Sequence, residues 1–158
     1  MTDTPGVASS VPDPELAGRG RRLAAVLVDA VLAAPLALVA LTYTGTLAAI
    51  INHQPVSLEQ QLLLAACGWA SFIALHAYTL AQGGQTIGKY LLRVRIAGLD
   101  GGVPPLWRIA VLRYLPLHVL SFFGPVGGLV LTVDDLMIFR GDRRCLHDLI
   151  CGTRVLRV

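Results

Sequence analysis

The chain has 158 residues, of which 54% are hydrophobic and only 15% charged, with a net charge of +3. Soluble globular domains usually carry about 25% charged residues, so this composition argues against a soluble enzyme and against disorder over most of the chain. The thirteen basic residues flank apolar stretches in separate clusters, a pattern that favours membrane orientation over nucleic-acid binding.

The chain divides into a short leader and one membrane domain. Residues 1–18 contain three prolines and no basic residue, and they predict a disordered leader. The domain covers residues 19–158. Its first apolar stretch, about residues 23–51, is long enough to span a bilayer with tilt or with a kink at Pro35.

The second span is predicted at about residues 61–81, after a polar loop at residues 52–60. Ser57, with Glu59 and Gln60 close behind it, predicts the helix cap. The sequence Gln82-Gly83-Gly84-Gln85 predicts the helix end.

Residues 82–108 form the longest hydrophilic segment after the leader. Alternation at residues 93–96 and the turn signal Asp100-Gly101-Gly102 predict a strand, a turn and a second extended piece that ends at two prolines. We therefore expect a small cytoplasmic β-like hairpin here.

The third apolar region, residues 109–139, is broken by prolines and glycines. Each half reaches roughly 21 Å, which is short of the ~30 Å hydrocarbon core, so the region is either one kinked span or a short helical hairpin. The hairpin keeps every basic residue on one side, together with the N-terminus. The basic tail, residues 140–158, ends in a strand-like segment.

Ionisable residues inside the apolar stretches are costly and mark functional candidates. Asp29 lies seven residues after Arg22, about two turns or ~10 Å into the first helix. Others lie at similar depths, so we expect one polar cluster whose charges offset each other's desolvation. Its predicted members are Arg22, Asp29, His76, Arg113, Asp134 and Asp135. Structural pairing, an ion or proton site and lipid headgroup binding are the three open roles.

Five motifs in order resemble the RDD family of small membrane proteins over about residues 17–158. They begin with Arg22 and Asp29 and include Arg113-Tyr114. The other motif positions are Gly84, Thr86, Gly88, Lys89, His147 and Asp148. The resemblance implies a transport-related protein or an accessory subunit. It leaves Asp134, Asp135 and Asp148 as candidates for the second family aspartate.

The C-terminal motif does not predict a metal site or a catalytic site. Cys145, His147 and Cys151 lack a fourth ligand, and no nucleophile accompanies His147 and Asp148. We expect Asp148 to cap its segment or to pair with Arg143 or Arg144 at the membrane surface. No cofactor, metal or enzymatic activity is predicted.

The predicted fold is an all-α membrane protein with two spanning helices, a broken third apolar region and the small β-like hairpin. We expect a multi-pass protein of the cell membrane with a cytoplasmic N-terminus. Two functions stay open: an accessory or assembly subunit that docks through small-residue helix faces, or an oligomeric ion- or proton-coupled transporter centred on Asp29. The expected partners are the lipid bilayer, anionic headgroups, and other subunits or further copies of the chain.

Overall fold

Two long helices dominate the computed structural model, which describes residues 15–120 and 124–158. They are α1 (Arg19–Tyr43) and α3 (Leu58–Gly83), with the short α2 (Thr46–Ile51) between them. Helices of 25 and 26 residues, at ~1.5 Å per residue, exceed the ~30 Å hydrocarbon core. By length and apolar composition, both could cross a membrane.

The first apolar stretch is two helices rather than the single span predicted at residues 23–51. Gly45 adopts the left-handed conformation, with φ of 70°, which ends the regular helix. Thr44 Oγ1 donates to the Ala40 carbonyl at 2.9 Å and lies 2.8 Å from Thr46 Oγ1. Pro35, the predicted kink, lies inside the continuous helix α1.

Both ends of α3 follow the predicted signals. Ser57 and Gln60 form a reciprocal capping box at its start. At its end, Gly84 takes the left-handed conformation with φ of 64°, as the Gly-Gly pair predicts.

The shorter elements follow α3 in the second half of the chain. They are α4 (Ile87–Leu91), β1 (Val94–Gly98), a π-helical segment (Arg108–Tyr114), α5 (Leu115–Leu120), α6 (Gly124–Leu136), a 3-10 turn (Met137–Phe139), α7 (Leu146–Cys151) and β2 (Thr153–Arg157).

A small antiparallel two-stranded sheet is present, as predicted, but the predicted strand partner is wrong. β1 pairs with β2 from the tail, with Arg95 opposite Leu156, and not with the extended piece that follows the Asp100 turn. Pro104 and Pro105 in that piece have no N–H to donate to a ladder. The tail strand offers apolar residues that pack with β1 instead.

The end of the predicted disordered leader belongs to the fold. Ala17 N donates to the Val155 carbonyl at 3.0 Å, and Arg157 N donates to the Glu15 carbonyl at 2.9 Å. Residues 15–17 therefore run along β2, and the leader prediction is wrong for them. Residues 1–14 lie outside the described residues.

The two ends of the third apolar region meet the same short helix. Arg113, near its start, bonds Asp148 of α7, and Asp134, near its end, bonds His147 of α7. The apolar core also lies at this end of the molecule, where Val94 and Val155 pack on Ala25 of α1. The long helices themselves are little buried. In the most apolar 18-residue stretch of each helix, 11% of α1 and 6% of α3 is buried inside the protein.

Cross-linking tests the strand register. In a variant without the native cysteines, R95C combined with L156C should form a disulfide on oxidation, because directly opposite residues bring their Cβ atoms within bridging range. R95C combined with V155C is the matched control, since Val155 points to the opposite face. A cross-link in the control pair alone would contradict the register. Non-reducing electrophoresis measures both.

Candidate functional site

Asp148 lies fully buried between two arginines from distant parts of the chain. Its Oδ2 accepts a hydrogen bond from Arg22 Nη2 at 2.9 Å, and its Oδ1 accepts one from Arg113 Nη1. Thr153 Oγ1 also donates to Oδ1, at 3.1 Å. We call Arg22, Arg113, Asp148 and Thr153 the Asp148 cluster. It ties α1, the π-helical segment, α7 and β2 together.

The local sequence places the Asp148 carboxylate for this role. Asp148 is the third residue of α7, and its Oδ2 accepts from Cys145 N at 3.2 Å as part of a capping box. Burial alone would raise the pKa of Asp148, but Arg113, His147 and Arg22 hold that pKa well below its usual range. The predicted cap is therefore correct, whereas the expected surface pairing with Arg143 or Arg144 is wrong.

His147 and Asp134 form a second pair beside the Asp148 cluster. Asp134 Oδ1 accepts from His147 N at 3.0 Å, and its Oδ2 lies 2.5 Å from His147 Nδ1. Burial and the nearby Arg113 lower the pKa of His147, against the opposite influence of Asp134. Asp134 is 3% exposed, whereas Asp135 is exposed and makes neither contact. Only one member of the predicted aspartate pair therefore faces inward.

Asp29 has a separate set of partners, which we call the Asp29 site: Asp29, His76, Thr86 and Gly88. Asp29 Oδ2 accepts from Thr86 Oγ1 at 2.5 Å, and Oδ1 accepts from Gly88 N at 2.7 Å. His76 Nε2 lies 3.9 Å from Oδ1. His76 Nδ1 accepts from Ile87 N at 3.4 Å, so a neutral ring carries its proton on the nitrogen that faces Asp29.

The loop after α3 has the residue types that this contact needs. Thr86 caps α4 by accepting from Lys89 N, and its hydroxyl proton is directed at Asp29. Gly88 lies so close to α1 that a Cβ atom there would collide with the Ala25 carbonyl and the Asp29 carboxylate. The three motif residues therefore have different structural roles in one loop: Gly84 ends α3, Thr86 caps α4 and binds Asp29, and Gly88 allows the close approach to α1.

Lys89 lies between the two groups of charges. It is 7% exposed, and its Nζ donates to Thr86 Oγ1 at 3.5 Å and to Tyr114 Oη at 3.3 Å. Tyr114 is the neighbour of Arg113 in the chain, so this lysine links the Asp29 site to the segment that carries the Asp148 cluster.

The single predicted cluster is thus two separate groups, and its membership changes. Asp29 and His76 do lie together, but Arg113 and Asp134 bind α7 instead, and Asp135 joins neither group. The prediction placed residues by depth along the helices, and depth does not specify which side of a helix they face. Thr86 and Gly88 were singled out only by the family resemblance, and no local pattern identifies them as partners of Asp29.

Asp134, Cys145 and His147 place potential metal-ligand atoms within 4.8 Å of one another. Their surroundings oppose a divalent cation. Burial raises the pKa of Cys145 to about 11, although a metal needs the thiolate, and Arg22 Nη2 lies 3.6 Å from the Cys145 sulfur. Cys151, in the trio considered from sequence, instead donates to the Arg108 carbonyl at 3.4 Å.

Comparison with known proteins identifies the family of the chain. The sequence model of the RDD family matches residues 16–152, which include both the Asp29 site and the Asp148 cluster, and RDD domains are membrane-associated. Neither the curated proteins nor the solved structures give a match.

Removing the buried carboxylate tests the Asp148 cluster. D148N should lower the free energy of unfolding by about 3–5 kcal/mol, because it leaves two buried guanidinium groups without their shared counter-charge. D135N, which alters an exposed carboxylate of the same type, should change it by less than about 0.5 kcal/mol. Unfolding in detergent micelles measures both, and equal effects would contradict the assignment.

The lowered pKa of His147 predicts a pH dependence of stability. The unfolded histidine titrates near pH 6.5, so the unfolded state takes up a proton before the folded state does, and stability should fall as the pH drops below about 6.5. Asp148 adds nothing in this window, because its contribution is lost only below its unfolded pKa near 4.

The matched variant for this pH effect is H147Q, which cannot titrate there. Its melting temperature should fall less between about pH 7 and pH 5 than that of the native protein, with the other histidines as a common background. Identical slopes in the two proteins would show that His147 does not oppose protonation.

Proposed function

Because the chain belongs to the RDD family of membrane proteins, we propose that it serves ion- or proton-coupled transport, with Asp29 as the group that binds and releases the cation or proton. This is a proposal of binding and transport and includes no enzymatic step. The observation that carries it is that three inward-facing carboxylates, of Asp29, Asp134 and Asp148, differ in the positively charged groups beside them.

Charge balance singles out Asp29 among these carboxylates. Asp148 has two arginines, and Asp134 has a histidine at hydrogen-bond distance. Within the described residues, no lysine or arginine nitrogen lies within 4.0 Å of the Asp29 carboxylate, and the basic side chain that does is His76, at 3.9 Å. Its charge is stabilised by neutral donors, and the carboxylate is therefore available to a mobile cation or proton.

A cavity gives access to this carboxylate. It has a volume of about 560 Å³ and runs between α1 and α3 from Asp29, His76 and Thr86 towards Leu41 and Leu64. Asp29 and Leu41 are twelve residues apart on one helix, or roughly 18 Å along the axis. The cavity thus covers more than half the thickness of a ~30 Å hydrocarbon core.

The proposed topology places the N-terminus in the cytoplasm of a cell membrane protein, with α1 and α3 crossing and the third apolar region folding back. The contacts of Arg113 and Asp134 with α7 support the fold-back. This arrangement leaves the basic segments on one side. Two crossings do not enclose a pathway, so transport requires an oligomer.

A second candidate function is an accessory subunit of a larger membrane complex. The wall of the same cavity carries small residues, among them Ala33, Ala37 and Gly68, and small residues let another helix approach closely. In this alternative the Asp29 site fixes the loop on α1, and the groove receives a helix of an unlike subunit.

Flux measurements in liposomes test the transport proposal. Native protein should dissipate an imposed proton gradient, either alone or on addition of sodium or potassium, as followed by an enclosed pH-sensitive dye. D29N should abolish this flux because it removes the titratable charge. D135N, which replaces an exposed carboxylate near the end of α6, should keep it. Unchanged flux in D29N, or no flux in the native protein, would contradict transport by Asp29.

Chemical cross-linking in mild detergent separates the two candidates. A homo-oligomer is expected for the transporter. A stoichiometric unlike partner, together with absent flux, would favour the accessory subunit.

A further inference from the structure

A second cavity lies where the start of α1 approaches the 3-10 turn after α6, and it meets the groove that holds Asp29 at Val26, Lys89 and Tyr114, which line both. Its volume is about 570 Å³, within the ~300–1,000 Å³ of typical ligand pockets. The wall is mostly apolar, yet it includes four cationic side chains. They are Arg19, Arg22, Lys89 and Arg113.

Among the described residues, the cavity wall contains one buried cation without an acidic partner, Lys89, and one buried donor atom without an acceptor, on Arg113. Lys89 is 7% exposed, and its ammonium group reaches only the hydroxyls of Thr86 and Tyr114. Among the described residues, no carboxylate lies within 4.0 Å of it. Arg113 Nε is buried and has no hydrogen-bond acceptor. A buried cation without a counter-charge costs free energy, so an anionic oxygen beside Lys89 would stabilise the site.

The carboxylates around the cavity do not supply that oxygen. Asp148 is shared by Arg22 and Arg113, and Asp134 is bound to His147. Asp135 lines the wall but is exposed and has no ion-pair partner among the described residues.

The mouth of the cavity is apolar. Leu23, Leu136 and Phe139 line it and are 60%, 58% and 65% exposed. Arg19 keeps a positive charge at this edge: its guanidinium lies 5.7 Å from the Phe139 ring and donates to the carbonyls of Ile138 and Phe139. A ligand that matches the whole cavity therefore combines an anionic oxygen group with a hydrocarbon chain.

We propose that this cavity binds one anionic phospholipid of the surrounding bilayer. The phosphate oxygens accept from Lys89 Nζ, with Arg19 adding positive charge at the mouth, and the acyl chains leave past Leu23, Leu136 and Phe139. Both ends of the site are thereby satisfied: the Lys89 ammonium receives an anionic acceptor, and the exposed apolar edge is covered. This binding does not depend on the transport proposed for Asp29.

Lipid titration of the detergent-solubilised full chain, followed by native mass spectrometry, tests the proposal. The probes are short-chain phosphatidylglycerol, phosphatidylcholine with the same chains, and glycerol phosphate without chains. The native protein should prefer phosphatidylglycerol to both. Glycerol phosphate that binds as tightly as phosphatidylglycerol would identify a site for a soluble phosphate and overturn the lipid assignment, as would equal binding of the two lipids.

Variants identify the residue responsible. K89Q should weaken phosphatidylglycerol binding by about tenfold, which corresponds to the loss of one charge-assisted hydrogen bond, and K89R should restore most of it. R93Q is the matched control, because Arg93 is exposed and outside the cavity. A K89Q protein that folds and keeps the native preference for phosphatidylglycerol overturns the proposal.

A second variant keeps the test decisive if K89Q fails to fold. R19Q changes an exposed residue at the cavity mouth and should weaken phosphatidylglycerol binding severalfold while leaving phosphatidylcholine binding unchanged. Size-exclusion chromatography and helix content verify the fold of each variant. An unaltered phosphatidylglycerol preference in R19Q, where K89Q is unfolded, likewise overturns the proposal.

Discussion

A buried charge in apolar surroundings is costly unless other groups neutralise or hydrogen-bond it, and this constraint organises the molecule around Asp148. Because its carboxylate binds both Arg22 and Arg113, the start of α1 and the π-helical segment must meet at α7. The neighbouring residue His147 brings in the end of α6 through Asp134. β2 follows α7 directly, so β1 finds its partner there and not in its own segment.

The Asp29 site, at the C-terminal end of α3, meets the same constraint with neutral donors. The loop after α3 turns at Gly84, and Thr86 and Gly88 deliver two neutral donors to Asp29. Lys89, next in the chain, then reaches Tyr114 and so connects the two regions. The difference between the two carboxylates is chemical: Asp148 is neutralised by fixed cations, and Asp29 is held by neutral donors.

The sequence predicted the features that depend on neighbouring residues. The two long apolar helices, the Ser57 cap, the Gly84 stop and the tail strand all follow from local composition and are confirmed. The depth argument also correctly brought His76 to Asp29.

Most other features that depend on distant residues were not predicted. Depth along a helix does not determine rotation about its axis, so Arg113 and Asp134 were assigned to Asp29 instead of to α7. Asp148 was placed at the surface because its partners lie 126 and 35 residues away in sequence. The sequence pattern does not show that the backbone N–H of Gly88 donates to Asp29. The structure shows why glycine is needed there, because a Cβ atom would collide with α1.

A double-mutant cycle between Arg22 and Asp148 tests most directly whether mutual neutralisation holds this fold together. The free energies of unfolding of R22M, D148L and the double variant are compared with that of the native protein in the same detergent. The double variant should be less destabilised than the sum of the single variants by roughly 1–3 kcal/mol, since R22M removes one of the two buried cations that D148L leaves without a counter-charge. Strict additivity would contradict mutual neutralisation.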